Sequence, residues 1–186
     1  VARAVVSAAW FQRDTTDQID FVSCTSASAP ALCSSGGIAR FGYYGNIARA
    51  KAHGIELSAQ ATLGGVDLDA NYTWTHAEND SPGSPNRGKF LVRRPEHQAN
   101  LTASYAWPGG PTTSVTVRYV GDSFDNAANT YRLKAYTLVD LRASWPLNDR
   151  IQVYGRVENA FDQSYETTRS YGAQGRGAYL GLRASF

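Results

Sequence analysis

From Val66 the chain alternates residue by residue. Val66, Leu68, Ala70, Tyr72 and Trp74 share one parity, and Asp67, Asp69, Asn71, Thr73 and Thr75 share the other. A period of two predicts a β-strand with one apolar face. The pattern recurs along the chain. Ile55, Leu57, Ala59, Ala61 and Leu63 oppose Glu56, Ser58, Gln60 and Thr62. Ala99, Leu101, Ala103, Tyr105 and Trp107 oppose Gln98, Asn100, Thr102 and Ser104. Val115, Val117 and Tyr119 oppose Thr116 and Arg118, and Val139, Leu141, Ala143 and Trp145 oppose Asp140, Arg142 and Ser144. Ile151, Val153 and Val157 oppose Gln152, Tyr154, Arg156 and Glu158. The closing run sets Leu180, Leu182, Ala184 and Phe186 against Gly181, Arg183 and Ser185. With a first strand over Arg3 to Val22, the pattern predicts eight strands.

The connections alternate in length. Gly64-Gly65, Pro108 to Pro111 and Pro146 to Asp149 read as tight turns. Between them lie long polar stretches: a Cys-containing loop, 79–89, 122–134 and 159–177. A sandwich in water has no reason to gather every long loop at one end, whereas an outer-membrane barrel does so by construction. Charges agree with that geometry. Asp67, Asp69, Arg118, Asp140, Arg142, Arg156, Glu158 and Arg183 all take the polar parity of their strands. A charge on the lipid face near mid-membrane would cost about 2–4 kcal/mol. Trp107 and Trp145 fall at the short-turn end, where an aromatic girdle belongs. The expected fold is therefore all-β: an antiparallel transmembrane β-barrel.

Composition narrows the reading further. The chain has 186 residues, and its net charge of +2 is too small to imply a nucleic-acid partner. Mean hydropathy is −0.37, and no run approaches the roughly 20 apolar residues of a membrane helix. Barrel strands escape that test because every second residue is polar. Cys24 and Cys33 sit in a Ser/Ala/Pro-rich loop, which suits a disulfide in an oxidising compartment. Two free thiols are the alternative, and a metal site lacks neighbouring ligands. The chain starts at Val1, contains no Met and shows no signal peptide. The expectation is the C-terminal portion of a longer protein.

Three segments carry a family resemblance. Tyr44-Gly-Asn-Ile-Ala-Arg-Ala-Lys-Ala-His-Gly-Ile-Glu56 resembles the Y-x-N-x-x-x-A-x-x-x-G-x-E run of TonB-dependent outer-membrane receptors. Val157-Glu-Asn-Ala-Phe-Asp-Gln-Ser-Tyr165-Glu is similar to their x-E-N-L-F-D-K-x-Y-E segment. Tyr171 to Arg176 resembles their G-Y-x-x-x-G-R loop, with Ser170 where the first Gly would stand. Leu91-Val-Arg-Arg-Pro-Glu-His97 and the stretch from Phe161 to Gly172 resemble the cobalamin-receptor branch most. Siderophore receptors share much of the pattern. The resemblance implies the last eight strands of a 22-stranded barrel. The plug domain, which an energy-coupling protein, TonB, acts upon, and the earlier strands would lie outside residues 1–186. It implies import of a scarce nutrient, cobalamin first and a ferric siderophore second. Outer-membrane lipid and the outer-membrane insertion machinery are further expected partners, with Phe186 as the insertion signal.

Tyr43, Tyr44, Tyr131, Arg169 and Tyr171 are the candidate ligand contacts, placed by the strand pattern near the extracellular mouth. Girdle or loop packing is the alternative role for such aromatics. Glu56, with Arg49 or Arg142, is a candidate lumen-side network that holds the plug, and a water-facing wall residue is its alternative. No catalytic residue, cofactor or metal is expected. His53, His76 and His97 read as scattered, with no Ser convincingly placed for a Ser/His pair. Gly172 to Gly177 is followed by no helix and so is not a phosphate loop. Two other classes compete: a self-contained eight-stranded barrel with a structural or adhesive role, and a soluble β-sandwich. Deleting Phe186 from the full-length protein should lower its abundance in outer-membrane fractions, and unchanged abundance would count against the insertion role.

Overall fold

The computed structural model describes residues 3–24, 33–35 and 38–185. Twelve strands follow in order: β1 Arg3–Ser23, β2 Ser34–Ser35, β3 Ile38–Ala39, β4 Gly42–Leu63, β5 Val66–Asn79, β6 His97–Ala106, β7 Thr112–Val120, β8 Ser123–Phe124, β9 Arg132–Leu133, β10 Tyr136–Pro146, β11 Ile151–Glu158 and β12 Gly177–Ala184. Eight of them form one antiparallel sheet in the order β1-β4-β5-β6-β7-β10-β11-β12. Each long strand pairs with the next long strand in sequence, as expected of an up-and-down barrel wall. The other four make two small ribbons within the long loops, β2 with β3 and β8 with β9. The sheet is open: β1 and β12 stand at opposite ends of the strand order. The alternative of closure onto the first strand as a small barrel is not what this sheet does. Phe186 lies outside the described residues.

Registers follow the alternation. Ile55 faces Trp74, Leu57 faces Tyr72, and Ala70 faces Leu101. Apolar residues therefore gather on one face and polar residues on the other. There is almost no interior. Among the described residues the buried apolar set is Cys33, Ala50, Ala77, Leu133 and Leu138, while Val6, Trp10 and Leu180 are 73%, 65% and 83% exposed. In water such a continuous apolar surface would drive association. Facing hydrocarbon it costs nothing, and the polar ladder on the opposite face can meet water. This sorting excludes the soluble sandwich.

Gly64 and Gly65 both have positive φ, +58° and +88°, the backbone of the tight hairpin turn that matches strand twist. The opposite end is built differently. β1 runs 21 residues and β4 runs 22, about twice the 9–11 that a bilayer needs. Above the belt the β1–β4 register shifts between Thr15 and Ile19, where Asp17 is left-handed. Cys24 and Cys33 are joined as a disulfide at that upper end, with Cα atoms 5.6 Å apart. Backbone bonds from Cys24 N–H to the Phe41 carbonyl and from Arg40 N–H to the Cys33 carbonyl, both 2.9 Å, hold the bridge against the strand pair.

Aromatic rings cover backbone on the polar face. A Cβ added at Gly54 would lie 2.8 Å from the Phe11 ring and collide with the Trp74 carbonyl oxygen. A Cβ at Gly155 would meet only ordinary contacts, 3.5 Å from the Tyr179 carbonyl and 3.8 Å from Leu180. Gly54→Ala should therefore destabilise the folded barrel by about 1–3 kcal/mol, while Gly155→Ala should be tolerated. The check is the temperature at which the full-length protein loses its folded mobility on SDS gels. Equal behaviour of the two variants would refute the steric account.

Candidate ligand-facing mouth

The long loops are fastened to one another chiefly through two short polar side chains, Asp125 and Asn129. Asp125 lies between β8 and β9, with its side chain 11% exposed. Its Oδ1 accepts from Arg93 Nε at 2.5 Å, and its Oδ2 accepts from the Arg169 backbone N–H at 3.1 Å. One carboxylate thus joins the loops 80–96, 121–135 and 159–176. Desolvation opposes its ionisation most strongly. The Arg93 bond and the Arg169 N–H together outweigh that effect and hold the carboxyl below the usual range. Asn129, left-handed at φ +56°, accepts from Phe90 N–H at 2.7 Å and donates back to the Phe90 carbonyl at 3.1 Å. Phe90 stacks on Phe124, with centroids 6.0 Å apart.

Asn159 organises the third loop. It is 4% exposed and left-handed at φ +49°. Its backbone N–H bonds Asp140 at 2.9 Å, and its side chain donates to the carbonyls of Gln163 and Gln174. Asp162 then receives the Arg176 N–H at 2.8 Å. The Glu-Asn-Ala-Phe-Asp run is thus a loop clamp: its Asn and Asp tie the two ends of 159–176 together. Asp80 and Asp122 fasten their own loops. Asp80 is held below the usual carboxylate range by its bond from Lys51, helped by Arg87. Asp122 is lowered first by Arg132, then by the Ala135 N–H.

The five candidate mouth residues divide. Tyr131 and Arg169 come together, with the Arg169 guanidinium 3.6 Å above the Tyr131 ring. Tyr171 is 71% exposed, and its N–H bonds the Thr168 carbonyl in the same loop. Tyr43 and Tyr44 lie on β4, paired with Val22 and Phe21, and belong to the other side of the sheet. Sequence reasoning missed Asp125 and Asn129. Their signal was the Asp-Asn…Asn-Thr-Tyr pattern, in which Asn126 Oδ1 accepts the N–H groups of both Thr130 and Tyr131 at 3.0 Å.

Two other readings are corrected. Glu56 forms no network with Arg49 or Arg142. Arg49 has the opposite parity on β4, and Arg142 on β10 is four strands away, about 19 Å at the usual strand spacing. The histidines are not scattered. His53 faces His76 across β4 and β5, with rings 5.2 Å apart, and His97 faces Trp74. All three take the apolar parity. His76 bonds Glu96 at 3.0 Å, and His97 bonds the Tyr72 hydroxyl at 2.8 Å. Among the described residues no group of His, Cys, Asp or Glu has a metal-binding arrangement.

An open, lipid-sorted meander with tight turns at one end and laced loops at the other defines a wall segment of an outer-membrane receptor barrel. The family model "TonB dependent receptor-like, beta-barrel" matches residues 2–160, and the chain belongs to this family. Its members are bacterial outer-membrane receptors and not enzymes. The chain is 36% identical over 137 residues to the vitamin B12 transporter BtuB of Photobacterium profundum, covering 72% of this chain and 21% of that protein. It is 32% identical over 125 residues to the ferrichrome outer membrane transporter/phage receptor of Escherichia coli, covering 62% and 16%. Among solved structures, the siderophore receptor PiuA from Acinetobacter baumannii superposes with a TM-score of 0.76 at 20% identity, covering 97% of this chain and 26% of that one. The chain thus spans about a fifth of the length of the curated relatives it matches.

Asp125→Asn in the full-length protein should leave the barrel folded and loosen the mouth. A charged hydrogen bond at a half-exposed pair contributes on the order of 1 kcal/mol, so proteinase K cleavage in 121–135 and 159–176 should rise several-fold. Because the folded carboxyl is lowered, its contribution is present above the ordinary range near ~4 and is lost as pH falls through the lowered value. Wild-type protection should therefore be flat from pH 8 to 5. Protection that declines across that window would contradict the assignment.

Proposed function

We propose that this chain is the C-terminal wall and part of the mouth of a TonB-dependent receptor that imports cobalamin. The observation that carries the reading is the 36% identity to a vitamin B12 transporter over 137 residues. The open edges of β1 and β12 support a larger assembly, because an unpaired strand edge in lipid leaves backbone groups unsatisfied. In this reading earlier strands complete a 22-stranded barrel, a plug domain fills it, and TonB energises the plug from the inner membrane. The role of residues 1–186 is passive: strands seal against lipid, laced loops present a rim, and the polar face lines the lumen. Phe186 serves the insertion machinery.

A ferric siderophore is the second reading, favoured by the 32% identity to the ferrichrome transporter. The two separate cleanly in one assay. Full-length receptor purified from outer membranes should bind cyanocobalamin saturably in equilibrium dialysis and leave ferric ferrichrome unbound; the opposite ranking would overturn the cobalamin assignment. In the same assay Tyr131→Ala should weaken binding by about 1–2 kcal/mol, roughly 5- to 30-fold, for the loss of one stacked ring.

A further inference from the structure

One long loop turns inward. Strand parity puts Tyr136, Leu138, Asp140 and Arg142 of β10 on the polar face, together with Arg156 of β11 and its direct cross-strand partner, Tyr179 of β12. A leucine on that face would ordinarily stand open to lumen water, yet Leu138 is 5% exposed. Loop 159–176 covers it. The Tyr165 ring lies against the Tyr136 ring, centroids 4.4 Å apart. Tyr165, Gln174 and Gly175 face Leu138, Asp140 and Arg142 across a gap of about 220 Å³. The Asn159 N–H bonds Asp140 at 2.9 Å, and the Gln174 side chain donates to the Tyr179 hydroxyl at 2.7 Å. Gly177 makes room for that last bond: a Cβ there would lie 2.8 Å from Gln174 Nε2 and 2.9 Å from the Tyr179 hydroxyl. Tyr136, Leu138, Asp140 and Tyr179, all of the polar parity, thus carry the loop. The gap beneath it is lined by Arg118, Arg142 and Glu158 as well, groups that water can serve, so the wall strands do not depend on the loop for their pairing.

We propose that loop 159–176 is a fixed constriction of the mouth: it stays folded over the β10–β12 side of the lumen and limits the size of what passes there, with Asn159 and Tyr165 as the residues that set it. This rests on the reading of the chain as the mouth of an importing receptor. Fixity comes from how the loop is anchored. Asn159 is 4% exposed and Asp140 9%, and lifting the loop would strip both of hydrogen-bond partners. Asp162 ties the returning end of the loop through the Arg176 N–H, and Asp125 of the neighbouring loop holds the Arg169 N–H. A segment that opens readily has few buried contacts and backbone bonds exposed to solvent; this one keeps its two central anchors buried. A bulky solute is then stopped at the loop, while small ones pass the polar gap beneath it.

Cys24 and Cys33 are bridged, so an introduced cysteine is the only free thiol of this chain. In the full-length receptor on intact cells, Leu138→Cys should react with a membrane-impermeant maleimide many-fold more slowly than in the same protein unfolded in urea. Equal native and unfolded rates would overturn the proposal. Asn159→Gly keeps the left-handed backbone and removes the amide. Combined with Tyr165→Ala it should raise the Leu138→Cys rate several-fold at unchanged folded mobility on SDS gels. Asn100→Cys, in the same rung of the sheet through Arg118, should not respond. Tyr165→Ala alone should show the same change to a smaller extent, and it decides the matter where the double variant does not fold. Continued protection of Leu138→Cys in a folded variant would show that something else covers it and overturn the proposal. For the size limit, Arg142→Cys, further down β10 on the same face, should react with a small methanethiosulfonate and exclude a polyethylene-glycol maleimide, and freeing the loop should admit both. Equal exclusion of the large reagent with and without the loop substitutions would assign the limit to another part of the receptor and sink the constriction. A receptor that binds no cyanocobalamin would sink the cobalamin reading and leave these rates unchanged, whereas an unprotected Leu138→Cys would sink the constriction alone.

Discussion

Hydrogen-bonded pairing of each long strand to its neighbours is the constraint from which everything else follows. In lipid no water is available to an unpaired N–H or carbonyl, so the ladder must be continuous across the belt. Once pairing is continuous, side-chain parity has no freedom left. A slip of one residue would turn Glu56, Asp67 and Asp69 into hydrocarbon and Leu57, Leu68 and Ala70 into the lumen. The β1–β4 pair shows where the constraint is relaxed. From Arg3 to Thr15 the register is unbroken, and it shifts only between Thr15 and Ile19. That lies above the belt, where water can satisfy what the bulge leaves unpaired.

With the core nearly absent, stability comes from the two faces of a single layer. On the lipid side apolar residues need no complementary partner. On the other side polar rungs pair across strands: Ser7 with Ser58 at 2.8 Å, Asn71 with Asn100 at 3.0 Å, and Thr102 with Thr116 at 3.0 Å. Rings supply what packing there is. Phe11 lies over Gly54, and Tyr154 closes on Gly181 so tightly that an added Cβ would clash with its ring. At the short-turn end Trp107 turns its indole N–H to Thr113 at 2.9 Å and makes a T-shaped contact with Tyr105, centroids 4.7 Å apart. That is the amphipathic posture of a residue at a membrane interface.

How far the sequence was legible depends on which force decides each feature. Alternation is local, so strand positions and faces could be read directly, from Val66 to Trp74 as from Leu180 to Ala184. Tight turns were legible too, because Gly64-Gly65 needs positive φ at both positions. What alternation cannot supply is distance across the sheet. Glu56 and Arg142 both read as lumen-facing, and they are, yet four strand spacings separate them. Nor does it resolve the loops. The ribbons of β2 with β3 and of β8 with β9 are two-residue pairings without a periodic signature. Asp125 and Asn129 looked like ordinary loop polars because their partners, Arg93, Arg169 and Phe90, are remote in sequence. The Glu-Asn-Ala-Phe-Asp run was legible as a family segment but not as a mechanism. Its physical content is that Asn159 adopts a left-handed backbone and satisfies groups at both ends of its loop.

The same economy explains how the loops are held where the wall is thin. Ordering a loop costs about 1–2 kcal/mol of backbone entropy per residue, and beneath the loops 80–96, 121–135 and 159–176 the apolar packing to offset it is small, chiefly Leu133 and the Phe90–Phe124 stack. Instead each is closed by a carboxylate or an amide that makes several bonds at once. Asp122 bonds Arg132 and the Ala135 N–H, Asp80 bonds Lys51 and Arg87, and Asp125 bonds Arg93 and Arg169. A multivalent acceptor at a loop base fixes many residues through few atoms. It leaves the loop's remaining polar and aromatic groups, Tyr131 and Tyr171 among them, presented outward. Under the proposed function, a ligand meeting that rim would find these groups already ordered, so less of its binding energy would go into arranging them.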